Sequence, residues 1–185
     1  MKAAPDLRSP RRAPATRGRD QRAPLLTACA AAGAALTARA LVSRALLFKL
    51  RRDLQALNSG DIQPLLSNYA EDAVMRFNEG AHRWAGEHRG KAAIARFLQS
   101  FVEAGLQGHV SELFVVGPPW RLTLIARFDD HARDAAGEEI YRNRTILLAR
   151  TRWGRIVLHE DFYEDTQRIV VLERRLSELG VGPPV

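Results

Sequence analysis

Residues 159–165 read His-Glu-Asp-Phe-Tyr-Glu-Asp, so the four carboxylates Glu160, Asp161, Glu164 and Asp165 fall within six residues. They follow an apolar run, "IVL", and stand just ahead of a helical pattern, "TQRIVVLERRL". A carboxylate facing apolar surroundings resists ionisation, its pKa rises, and it can give or take a proton near neutral pH. The same side chain at a solvated strand end or in the first turn of a helix does no chemistry; it pairs or caps. Strand register decides between the two.

Trp153-Gly154 suits a two-residue hairpin turn between "EEIYRNRTILLARTR" and "RIVLHEDFY". Regular pairing about that turn sets Thr151 opposite Ile156, Ala149 opposite Leu158, Leu147 opposite Glu160 and Thr145 opposite Phe162. That face is mostly apolar and continues to Asn143 and Tyr141, so Tyr141, Asn143, Thr145 and Glu160 are expected to point inward. Arg142, Arg144, Arg150, His159 and Asp161 then share the outer face, where Asp161 pairs with arginine. A one-residue slip or bulge exchanges Asp161 for Glu160. Glu160 is therefore the first candidate acid/base, against an ion pair at the rim, and Asp161 is the second. Asp165 precedes the last helix and reads as its N-cap, with a catalytic role as the alternative. Glu164 reads as solvated charge.

Elsewhere, His82 and His88 flank Trp84 in the turn-rich "NEGAHRWAGEHRG". Each histidine reads as a surface residue or a binding group, and Trp84 and Trp120 as core or pocket wall. The histidine spacing fits no metal motif, and no phosphate loop or nucleophile elbow is present, so neither metal nor cofactor is expected.

These residues need elements to hold them. Val42, Leu46, Leu50, Leu54 and Leu57 recur at helical spacing, and Asp61 opens a second short helix with Pro64 in its first turn. "DAVMRF" reads as a strand. Ile94, Phe97, Leu98, Phe101 and Val102 mark a helix stopped by Gly105. The period then changes to two for "HVSELFVVG", "WRLTLIARF" and the hairpin, before a last helix carrying Ile169, Leu172, Leu176 and Leu179 and ending at Gly180. Helices followed by serial antiparallel strands make an α+β domain.

"LNSGDIQPLLSNYAEDAVMRF", "WAGEHRGKAAIARFLQSFVEAG" and "RTRWGRIVLHEDFYEDT" together resemble the SnoaL-like branch of the nuclear transport factor 2-like superfamily, over roughly residues 40–175. The resemblance implies a cone, in which a strongly curved, mostly antiparallel sheet wraps around three N-terminal helices and leaves an apolar pocket, with a C-terminal helix added. It implies a small apolar carbonyl- or hydroxyl-bearing ligand and, for an enzyme, cofactor-independent isomerisation, cyclisation or dehydration. Glu160 would be the acid/base, with Tyr141 and Asn143 near the reacting oxygen and His82 and His88 toward the pocket mouth. The same fold also serves non-catalytic binding and dimerisation modules. The epoxide-hydrolase type needs an Arg-x-Asp pair on the "YRNRTILL" strand, where Ile146 stands in the aspartate's place.

The 185 residues suit one domain, and 46% hydrophobic with 26% charged residues is an ordinary globular balance. The net charge of +7 belongs to the first third of the chain: from Asp61 onward, 16 basic residues face 18 acidic ones. That weighs against nucleic-acid binding by the folded body, leaving only the Arg-rich tail for it. Residues 1–24 hold four prolines and six arginines and little that is apolar, so a disordered tail is expected there. An Ala-rich helical lead-in over 25–39 and the domain proper over 40–180 follow. Cys29 is the only cysteine, which excludes an internal disulfide and fits a reducing cytoplasm. The only apolar stretch before Cys29 is "PLL", too little for an export signal, and no apolar stretch reaches the ~20 residues of a membrane span. The mixture of Ile, Leu and Arg on the outer strand face, as in "RTILLAR", suits a homodimer.

Overall fold

The computed structural model describes residues 22–134 and 136–182. The chain divides into two units, Met1–Arg39 and Ala40–Val185. Of the first, residues 22–39 are helical and form the beginning of α1 (Arg22–Asn58). The expected tail lies, through residue 21, outside the described residues.

The second unit continues with α2 (Gln63–Leu66), β1 (Tyr69–Phe77), β2 (Gly86–Arg89), α3 (Lys91–Glu103), β3 (Leu106–Val116), β4 (Thr123–Arg133), β5 (Glu139–Arg152), β6 (Arg155–Tyr163) and α4 (Thr166–Glu178). The six strands form one mixed sheet in the order β2-β1-β6-β5-β4-β3. Only β1 and β6 run parallel; the other neighbours are antiparallel. β1 is drawn from far earlier in the chain to the open edge of the β5–β6 hairpin. It thereby brings Tyr69 onto the strand beside His159.

The apolar stripes predicted for the helices meet the inner sheet face. Leu54 and Leu57 of α1, Leu65 and Leu66 of α2, and Ile94, Phe97 and Leu98 of α3 share one core with Met75, Phe77, Val110, Ala126 and Phe128. Ile169, Leu172 and Leu176 of α4 join the same core. Each such side chain, once buried, is worth about 1.5–3 kcal/mol relative to leaving it exposed. One charge is buried with the helices: Asp53 of α1 accepts from Lys49 and from Asn68 Nδ2 (2.9 Å), tying α1 to the start of β1. Burial opposes its ionisation, but the lysine and amide bonds outweigh that and hold its pKa below the ordinary aspartate value.

Turns follow the expected chemistry. Trp153 and Gly154 both have positive φ, 49° and 78°, as a tight hairpin requires. Asp61 accepts from Gln63 N at 2.9 Å. Asp165 caps α4, accepting from Gln167 N at 2.9 Å and Arg168 N at 3.4 Å, an arrangement worth about 1 kcal/mol.

The hairpin departs from regular pairing. Thr151 faces Ile156 as expected, but Arg150 faces Leu158, Ala149 faces His159, Leu147 faces Asp161 and Thr145 faces Tyr163. Val157 is an extra residue on β6, a bulge just after the turn. The expected pairs Leu147–Glu160 and Thr145–Phe162 are therefore displaced by one. The physical reason is visible on both faces. Glu160 turns outward to Arg76 of β1 (3.0 Å), itself bonded to Glu87 (2.9 Å), while Tyr163 replaces Phe162 against the core. Without the bulge, Glu160 would enter an apolar space and lose its arginine.

Candidate active site

Between the helices and the inner sheet face lies a cavity of about 110 Å³. Leu50, Leu54, Phe97, Phe101, Leu113 and Leu147 supply part of its apolar wall. Its titratable or hydrogen-bonding side chains are Tyr69, Asp130, Thr145, His159, Asp161 and Tyr163. A mostly apolar concavity with a few convergent polar groups is the usual form of a small-molecule site.

Asp161 comes inside because of the bulge, and its side chain is only 8% exposed. His159 Nε2 lies 3.1 Å from Asp161 Oδ1, and the opposite ring nitrogen, Nδ1, lies 2.6 Å from the Tyr69 hydroxyl. Burial, then the Asp161 charge, pushes the Tyr69 phenol far up, so it keeps its proton and donates to Nδ1. That leaves the histidine proton on Nε2, donated to Asp161. One carboxylate oxygen is thus occupied. The chain tyrosine–histidine–aspartate is ordered in one direction.

Asp130 of β4 is 4% exposed and also lines the cavity. Burial and the nearby charge of Asp161 push its carboxyl up to about 7, against the opposing hydrogen bond from Tyr163. Gly108 of β3 makes room for it: a Cβ there would stand 3.2 Å from Asp130 Oδ1. Asn58 of α1 holds Gly108 in place, donating to its carbonyl (2.9 Å) and accepting from its N–H (3.0 Å). Tyr163 is partly buried against the core, and its pKa is raised by burial, then by Asp130 and Asp161. Thr145 Oγ1 is buried without a hydrogen-bond partner.

The other sequence candidates are placed elsewhere. Glu160 is on the outer face with Arg76, and Asp165 is the α4 cap. Tyr141 and Asn143 do turn inward, yet neither lines the cavity. Asn143 Nδ2 donates to the Asp165 carbonyl at 2.7 Å, pinning β5 to the start of α4. Trp84 is core, and His88 bonds the Trp84 carbonyl (2.9 Å) edge-on to Phe97. His82 sits beside Asn78, its pKa lowered by burial. Trp120, expected in the core or pocket wall, is 54% exposed because it lies in the β3–β4 turn, where its carbonyl accepts from Trp153 N. Phe162 is exposed on the outer face opposite Ile146. Among the described residues no cluster of His, Cys, Asp and Glu is arranged to hold a metal ion.

Sequence reasoning missed Asp130, His159, Tyr69 and Tyr163. A signal existed for the first. Leu124, Ala126, Phe128, Asp130 and Ala132 alternate on one face, and Asp130 is the carboxylate in an otherwise apolar row.

A six-stranded mixed sheet packed against helices, with polar groups gathered in a mostly apolar cavity, is the frame of a nuclear transport factor 2-like protein. The SnoaL-like domain pattern matches residues 50–159, more than half of the chain, and the chain belongs to that family. Among solved structures it is similar to a nuclear transport factor 2-like protein of unknown function from Burkholderia pseudomallei, with 19% identity and a TM-score of 0.55 over 68% of this chain and 94% of that one. Bal32a, from a soil-derived mobile gene cassette, shares 23% identity at a TM-score of 0.51 over 68% and 92% of the two chains. TerC, co-crystallised with polyporic acid, shares 18% identity at a TM-score of 0.52 over 65% and 92%. Likeness at these identities concerns the fold. No curated protein sequence matches the chain.

Proposed function

We propose that the protein binds a compact apolar molecule bearing a carbonyl or hydroxyl group and moves a proton on it, as a cofactor-independent isomerase, cyclase or dehydratase. The observation that carries this reading is the Asp161 carboxylate, held by His159 at 3.1 Å in a cavity walled mostly by apolar side chains. A base so placed has one oxygen engaged by the imidazole and the other available to a substrate C–H or O–H. Burial keeps water from competing and strengthens every charge interaction inside. The expected acid/base role thus passes from Glu160 to its neighbour. Thr145 and Tyr163 are the groups that orient the substrate oxygen.

The cavity's 110 Å³ is below the roughly 300 Å³ usual for larger ligands and below the ~150 Å³ that takes a benzene ring, so an occupant of no more than one small ring suits it best. NMR with aromatic ketones and phenols tests this. Methyl shifts at Met75, Leu98, Leu147 and Ile156 are the expected result, and shifts restricted to surface residues would sink the reading.

The second reading is a non-catalytic binding or dimerisation module. The outer sheet face supports the assembly half of it for either case. Phe114, Ile146 and Phe162 are exposed there, beside Ile125, Leu148 and Leu158, with Arg127 and Arg144 between them. An apolar patch of this kind on a soluble fold marks an interface. We expect a homodimer through this face, and Ile146→Asp to dissociate it. A monomeric mass for the wild-type chain at tens of micromolar removes the dimer. No helix among the described residues is long and apolar enough to cross a membrane.

A further inference from the structure

We infer that the outer side of α1 is a docking surface for an anionic membrane, with its apolar side chains inserted among the lipid headgroups and its arginines on the lipid phosphates. The inference is independent of the cavity reading above and concerns a different face of the domain.

The exposed side chains are the first argument. At about 3.6 residues per turn, α1 sets Leu41 and Phe48 one above the other, on the side opposite Leu50. Leu50, Leu54 and Leu57 face the core, and all three line the cavity. Leu41 is 63% exposed and Phe48 73%, with Val42 half-exposed beside them. Ala45 lies between Leu41 and Phe48, one turn from each. Three large apolar side chains within two turns of one helix form a patch of the kind that marks a contact surface.

The charge is the second argument, and it names the occupant. Residues 40–58 of α1 carry four basic side chains, Arg44, Lys49, Arg51 and Arg52, and one acid. That acid, Asp53, is 1% exposed and pairs with Lys49 and Arg52. The charge that this stretch shows to solvent is therefore all positive. Arg44 stands one turn from both Leu41 and Phe48, and Arg51 and Arg52 stand one turn beyond Phe48. Arg51 reaches only backbone carbonyls of β3, those of Val110 and Ser111, at 3.4 Å. An apolar stripe flanked by guanidinium groups matches a bilayer surface, where acyl chains lie beneath a layer of phosphates.

The other occupants fit less well. A second copy of α1 would set arginine against arginine. Residues 1–21 hold six basic and two acidic side chains, the same sign as the helix. Nucleic acid would take the charge, but phosphate contacts leave the aliphatic Leu41 and Val42 unused. Lying on a bilayer also asks less of a helix than crossing one, for which no described helix is long and apolar enough. α1 then has lipid on one side and the wall of the cavity on the other.

Co-sedimentation of the full chain with lipid vesicles tests the inference. The chain should pellet with vesicles of phosphatidylglycerol and phosphatidylcholine in equal parts, and stay in solution with phosphatidylcholine alone. Raising the salt from about 0.1 to about 1 M, which shortens the screening length from ~10 to ~3 Å, should weaken the binding. Phe48→Ser should lower the partition coefficient by about 10-fold or more, and Arg44→Gln by about 5-fold. Both side chains are exposed, so the fold should survive, which circular dichroism checks. Val171→Ser removes a comparably exposed apolar side chain from α4 and should bind as the wild type does.

Failure to pellet with the anionic vesicles overturns the inference, as does equal binding to the two kinds of vesicle. Binding that Phe48→Ser leaves unchanged also overturns it, because the charge of the chain's first third then suffices without this face. An equal loss with Val171→Ser has the same meaning. Retention on duplex DNA without vesicle binding assigns the arginines to nucleic acid instead. A self-associated mass that Phe48→Ser reduces, again without vesicle binding, assigns the face to a second copy; either result replaces the membrane.

Discussion

Asp161→Asn is expected to lower any proton-transfer rate of this protein by about 10²–10⁴-fold, the range for a lost general base, while the fold survives. Asparagine keeps the shape and can still accept from His159 Nε2 through its carbonyl oxygen, so the Tyr69–His159 chain stays in order. What disappears is the capacity to take a proton. Glu160→Gln, one residue away, should leave the rate unchanged. Its carboxylate is engaged outside by Arg76, and its loss costs only a partly exposed ion pair, about 0–1 kcal/mol. Matched kinetics of the two variants on one ketone read the difference. Equal activity of Asp161→Asn and the wild type would leave only the binding module.

Arg83→Ala is expected to destabilise the domain by about 3–5 kcal/mol, the usual cost of leaving one member of a buried pair alone. Arg83 is 4% exposed and grips Glu173 of α4 at 2.8 and 3.0 Å. It also donates to the carbonyls of Val181 (2.7 Å) and Gly182 (2.8 Å). Four bonds from one guanidinium hold α4 and the residues after it against the β1–β2 loop. For a chain of this size the loss should lower the melting temperature by roughly 6–20 °C. Burial opposes ionisation of Glu173, but Arg83 outweighs it and holds that carboxyl below its ordinary range. The contribution is therefore present at neutral pH and fades as pH falls through the glutamate range. Calorimetry should find the two proteins converging in acid; an equal gap at all pH values would mean that packing, not charge, holds the helix.

The sequence made the elements legible where one period ran long. The stripe from Ile94 to Val102 and the alternation along β4 and β5 depend on local spacing alone, and the structure follows them. The inward set Tyr141, Asn143 and Thr145 was readable for the same reason. The register of β6 was not, because three consecutive apolar residues, Ile156, Val157 and Leu158, carry no alternation to say which one is extra. The choice falls to Arg76, a partner on a strand some eighty positions earlier, and no window around residue 160 contains it. The same distance hid Tyr69, whose partnership with His159 arises only from the parallel β1–β6 pairing. Asn143 was read correctly as buried but not as a strut, since its acceptor is a backbone carbonyl in a turn.

The bulge at Val157 has a consequence for descent as well as for mechanism. Losing the Val157 codon would take out the one residue of this stretch that has no partner, so Leu158, His159, Asp161 and Tyr163 would stay opposite Arg150, Ala149, Leu147 and Thr145 on a regular ladder. The contents of the cavity are thus buffered against the loss of a residue at this point. A slip of the full-length strand into regular pairing would instead present Glu160 and Phe162 to the cavity and turn His159, Asp161 and Tyr163 to the other face. Two registers of one unaltered sequence, rather than two sequences, separate the two interiors.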